Sequence, residues 1–148
     1  MKLNINFPES INYSMSQAVR IQDVNYRKHL GHDKLVSMIH EARAAFFESL
    51  GISELVDSSE GYILADLQVM YLDEAFFGDE LKFEIALSEV SNRSCQICYR
   101  ISKGSKQLDK AVVIAKAKTG VVFYDYDLRQ AISAPPELSR LKMTNELK

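Results

Sequence analysis

Residues 35–51 read LVSMIHEARAAFFESLG, and the apolar members Leu35, Met38, Ile39, Ala42, Phe46 and Leu50 recur at helical spacing, with Ser37, Glu41 and Glu48 off the stripe. The spacing predicts one amphipathic helix over about 35–50. Asp33 is placed to cap its start. Gly51 followed by Ile52 supplies a residue that tolerates a left-handed backbone and an apolar residue to fold back at its end. At about 1.5 Å per residue, roughly eighteen residues make a rod of about 27 Å, long enough to cross a small sheet.

On the C-terminal side of this helix the period drops to two. Leu81, Phe83, Ile85 and Leu87 alternate with Lys82, Glu84, Ala86 and Ser88, and strands are expected near 61–73, 80–92, 93–103 and 108–125. Turns fall at Asn92-Arg93 and Lys103-Gly104-Ser105, and Tyr13 to Ile21 reads as one more strand before the helix. In the last long strand Ala111, Val113, Ala115, Ala117 and Thr119 share one face, and such small side chains would let the helix approach closely. The expected architecture is α+β: one long central helix wrapped by a five-stranded antiparallel sheet. Its core lies in about 13–125, with a peripheral tail over 126–148 that includes Pro135-Pro136. A strand as long as 108–125 would be an aggregation hazard if left unpaired, so a homodimer or a dimer of dimers is expected.

With 148 residues, 47% of them hydrophobic, the chain is long enough for one domain with a real core. The net charge of −2 comes from interspersed acids and bases, which argues against a nucleic-acid partner. No apolar run approaches a membrane span, and MKLNINFPES lacks the apolar core of a signal peptide, so no membrane partner and a cytoplasmic location are expected. Cys95 and Cys98 have CxxC spacing. They fall in an alternating strand, where residues three apart face opposite ways, and this favours two structural thiols over a redox or zinc pair.

Several segments together carry a resemblance: VRIQDVN at the end of the first strand, HLGH before the helix, HEARAAFFESLG on it, VMYLDEAFFGDEL across the next turn and AKAKTGVVFYD on the last strand. Over about residues 15–125 the chain resembles hotdog-fold acyl-CoA thioesterases of the 4-hydroxybenzoyl-CoA type. The resemblance implies a thioester hydrolase acting on an acyl-CoA or acyl-ACP, with no metal and no cofactor. Where that type commonly carries Asp-x-Asp, this chain has Asp23-Val24-Asn25, and a carboxamide takes no proton at neutral pH. The Asp-x-Asn form resembles plant-type acyl-ACP thioesterases, which add a His and a Glu. Asp23, Asn25, His29 or His32, and Glu74 match that pattern.

Thioester hydrolysis needs donors at the developing oxyanion, and the free amides at the helix start near Gly31 to Asp33 can supply them, with Gly31 permitting close approach of a ligand. Glu74 is the first candidate for the base, ahead of His32, His29 and Glu41. Asp23 would orient a neighbour, Asn25 would position water or the thioester, and His32 would give a hydrogen bond or proton. Lys116 and Lys118, with Lys103, Lys106 and Arg93, are candidates for the carrier's phosphates. Plainer roles compete: Asp23 and Asn25 as turn residues, His32 as a helix-start residue, Glu74 and the lysines as solvated charges. A non-hydrolytic thioester-binding protein of the same fold is the second reading. His29, His32 and Asp33 also raise a metal site, but no compact ligand motif accompanies them.

Overall fold

A computed structural model describes residues 4–52, 59–104 and 110–146. In chain order they form β1 (Tyr13–Ala18), a single 3-10 turn (Ile21–Asp23), α1 (His32–Ser49), β2 (Glu60–Tyr71), β3 (Glu80–Val90), β4 (Ser94–Gly104), β5 (Ala111–Asp125), β6 (Gln130–Ala131) and α2 (Pro136–Glu146). The sheet runs β1-β3-β4-β5-β2, all antiparallel. The two-residue β6 pairs Tyr124 and Asp125 of β5, just beyond the point where β4 begins. This is the expected hotdog arrangement with one short strand added.

The apolar stripe of α1 explains its place. Leu35, Met38, Ile39, Ala42, Phe46 and Phe47 are buried against Phe83, Ile85, Tyr99 and Ile101 of the sheet, and each large side chain so buried contributes about 1.5–3 kcal/mol. The helix starts earlier than the apolar pattern suggests. Its N-cap is Gly31, not Asp33; Asp33 lies in the first turn, where its charge complements the helix dipole. The far end follows expectation: Gly51 adopts φ 79°, its N–H donates to Glu48 O at 2.9 Å, and Ile52 N–H donates to Phe47 O at 2.8 Å.

Three expectations are corrected. The backbone of α1 comes nearest to β1 and β3; it meets the β5 face, which holds Ala115 and Ala117 in the same core, through large side chains such as Phe47, whose ring centroid is 6.2 Å from that of Phe123, and not by a close backbone approach. A bulge places Ile101 opposite Ala115 but Ser102 opposite Val113. Ile114 therefore turns into the core, and Ala111 is exposed instead of sharing the face of Ala115 and Ala117. β5 is also not an edge. It lies between β4 and β2, and the long edge strand is β2, which exposes Ile63 and Leu64. The start of the expected 108–125 strand, with Lys106 and Ser105 before it, falls outside the described residues.

The tail is not peripheral. Leu138 of α2 is completely buried, Ala134 N–H donates to Asn92 O at 2.7 Å, and Lys142 Nζ donates to Ser88 O at 3.1 Å. Pro136 sits in the first turn of α2, where its missing N–H costs nothing. Cys95 lies in the core, and burial pushes its thiol up to about 12, while Cys98 points to the opposite face near the Asn6 carbonyl; both are free.

Candidate active site

Between β1 and α1 the chain forms a tight turn that builds the site. Val24 bridges Leu30, Asn25 N–H donates to His29 O at 2.8 Å, and Lys28 N–H donates back to Asn25 O at 2.9 Å. The Asn25 side-chain oxygen accepts from Arg27 N–H at 3.0 Å and His29 N–H at 3.3 Å. Asn25 is therefore a turn builder first, with its amide nitrogen left over. The turn is tied to the β2–β3 connection through Leu30 N–H to Ala75 O at 2.8 Å and a bridge between His29 and Phe76.

That tie brings His29 and Glu74 together from segments 45 positions apart in the sequence. His29 Nδ1 lies 3.2 Å from Glu74 Oε1, and the ring stands edge-on to Phe76 with centroids 5.3 Å apart. A proton on Nδ1, turned to this carboxylate, leaves Nε2 as the acceptor nitrogen. Lys103 holds the acid's backbone: Nζ donates to Glu74 O, pairs with Asp79 Oδ2 at 3.6 Å and lies 5.0 Å from the Phe76 ring centroid. It anchors this turn and is not free for a phosphate.

Asn25, His29, His32, Glu74, Tyr71 and Ile114 line one cavity of about 200 Å³ at the start of α1. Tyr71 had no signal in the sequence beyond its place at the end of a strand. Its hydroxyl donates to His32 O at 3.0 Å and fastens β2 to the helix start; burial, with a smaller contribution from Asp33, pushes that hydroxyl up and keeps it a donor. His32 is exposed, its ring 6.5 Å from Tyr71 and edge-on. Gly31 N–H donates to Asp23 O at 2.9 Å, so the amides open to a ligand are those further along the first turn. A Cβ on Gly31 would come 2.7 Å from Asp33 Oδ1, so the space beside Gly31 holds the Asp33 carboxylate rather than a ligand.

Other predicted residues lie elsewhere. Asp23 and Glu41 line a separate cavity of about 460 Å³ between β1 and α1, with Arg20, Lys34 and Ser37. Asp23 is buried, and its carboxylate accepts from Arg20 N–H at 2.9 Å and Arg20 Nε at 3.2 Å. Burial pushes this acid up, but the Arg20 hydrogen bonds and charge outweigh it and hold Asp23 below its usual 3.8. Its stabilising contribution is then complete above the unfolded value and is lost as pH falls through the lower folded one. Urea midpoints of the protein and of Asp23→Asn should accordingly differ at neutral pH and converge as pH falls through the lowered folded value. Lys116 and Lys118 alternate with the core residues Ala115 and Ala117, so they occupy the sheet face turned away from α1. Among the described residues no cluster of three or more His, Cys, Asp or Glu is placed to hold a metal, and no helix is long and apolar enough to cross a membrane.

One long helix wrapped by an antiparallel sheet is the hotdog arrangement. The thioesterase-like superfamily profile matches residues 19–141, and the chain belongs to that superfamily. No curated protein sequence matches it at a significant level. Among solved structures it is similar to the PA2801 protein of Pseudomonas aeruginosa, with TM-score 0.80 and 17% identity over 88% of this chain and 98% of that one. It is also similar to a 1,4-dihydroxy-2-naphthoyl-CoA thioesterase from Synechocystis, with TM-score 0.74 and 17% identity over 87% and 93%. A mutant 4-hydroxybenzoyl-CoA thioesterase complexed with 4-hydroxybenzoyl CoA gives TM-score 0.78 and 18% identity over 87% and 96%.

Proposed function

We propose that the protein is a cytoplasmic acyl-thioester hydrolase acting on an acyl-CoA or acyl-ACP. The observation that carries this reading is the His29–Glu74 pair at 3.2 Å, in a cavity at the start of α1. Glu74 fixes the tautomer and orientation of His29, whose Nε2 takes a proton from water as the water oxygen attacks the thioester carbonyl. The oxyanion formed is stabilised by first-turn amides of α1. Collapse breaks the C–S bond, and the departing thiolate recovers the proton from His29, giving free acid and thiol. The Asn25 amide nitrogen and His32 hydrogen-bond the water or the carbonyl from the cavity wall. The base of the sequence reading, Glu74, thus becomes the orienting acid, and His29 takes its place. The thioester substrates named for two of the similar structures support the substrate class. A second copy paired along the exposed edge of β2 would cover Ile63 and Leu64, which supports a homodimer as the working unit.

A second reading, a thioester-binding protein without hydrolysis, is favoured by the carboxamide of Asn25 where the resembling enzymes commonly carry an acid. A panel of short, long and aromatic acyl-CoAs, followed by thiol release, separates the two. Turnover of at least one ester is expected. Thermal stabilisation by the esters with no turnover of any, and activity appearing only in Asn25→Asp, would establish the second reading instead. Asp preserves the oxygen that caps the turn, so this variant changes chemistry and not the loop.

A further inference from the structure

We infer that the turn tip Tyr26-Arg27-Lys28 is the binding site for the phosphate end of the thiol carrier, a phosphopantetheine group. The inference rests on the hydrolase reading for its location and on separate residues for its substance. All three side chains are exposed, Tyr26 completely so at 107% relative exposure, and among the described residues neither Arg27 nor Lys28 makes an ion pair or a side-chain hydrogen bond. Two free cations beside a bare aromatic ring form a surface suited to a phosphate ester.

The tip is also rigid. Asn25 caps it through two backbone N–H groups, and the Val24–Leu30 bridge closes its base. Lys28 holds φ 65°, a left-handed conformation that glycine adopts without cost and lysine does not. Position agrees. Asn25 and His29, which frame the tip, both line the cavity, and Arg27 lies two residues from His29, about 7 Å of chain at most. With arginine and lysine side chains added, that reach suits the extended pantetheine arm separating a thioester carbonyl from the carrier's phosphates.

The test compares one acyl group carried on coenzyme A, on holo acyl carrier protein and on phosphate-free N-acetylcysteamine. Arg27→Ala/Lys28→Gly removes both cations while giving the left-handed position the residue it favours, so the turn is kept. The ratio of kcat/KM for a phosphate-bearing ester to that for the N-acetylcysteamine ester is expected to fall at least tenfold, and the carrier whose ratio falls identifies the source of the phosphate. Calorimetric binding of free coenzyme A, which needs no hydrolysis, should weaken at least tenfold in the variant if coenzyme A is that source. An unchanged ratio for both carriers, or equal loss on all three esters, overturns the inference. If the parent hydrolyses none of the esters, the hydrolase reading fails by itself, and the coenzyme A and carrier-protein binding comparison then decides the site: equal binding by parent and variant overturns it.

Discussion

Glu74→Gln is expected to lower kcat/KM for the preferred acyl thioester by about 10²–10⁴-fold, the range typical of removing a positioned acid–base group. Glutamine keeps the size of the side chain and its exposure, but it cannot hold His29 with Nδ1–H directed at a carboxylate. His29→Gln should give a loss of similar size, and the double variant little more than either single one, because the pair acts as a unit. The side chains are 57% and 31% exposed, so these replacements should change stability by no more than about 0.5 kcal/mol. Thiol release under saturating and limiting substrate measures the loss, and a change under threefold in both variants would remove the pair from the chemistry.

Leu138→Ala is expected to destabilise the fold by about 2–5 kcal/mol, because it empties a fully buried position that little can collapse to fill. At this chain length such a loss corresponds to a Tm lower by about 5–15 °C. Met143, on the same helix and 60% exposed, is the control, and Met143→Ala should stay within about 0.5 kcal/mol. Equal, small effects at both positions would mean that α2 does not share the core, contrary to the packing of Leu138, Leu141 and Ile132 against it. Scanning calorimetry or urea titration reads the difference.

The helix and the long strands were legible because Leu35, Met38, Ile39, Ala42 and Phe46 repeat at helical spacing, while Leu81, Phe83, Ile85 and Leu87 repeat at two. The helix start was missed by three residues, since an exposed His32-Asp33-Lys34 turn carries no apolar signal and Gly31 caps with its backbone alone. The bulge at Ile114 and the burial of Leu138 were hidden for another reason: both depend on what the chain meets across space, not on its own periodicity. The site was legible as a set of polar residues but not as a geometry. Nothing in the spacing separates Asp23, which turns to Arg20 and a second cavity, from His29, which turns to Glu74. Lys103 read as a free cation because its partners, Glu74 O and Asp79, come from the β2–β3 connection, far from it in the sequence.

The acyl carbonyl is expected at the start of α1 beside His29 and Glu74. A crystal structure with an acyl-CoA ketone analogue, in which methylene replaces the thioester sulfur, tests it most directly. The ketone oxygen is expected about 3 Å from a first-turn amide of α1, with His29 Nε2 within one water of the carbonyl carbon. A ketone seated instead in the cavity of Asp23, Lys34 and Glu41, with the His29–Glu74 pair untouched, would contradict it.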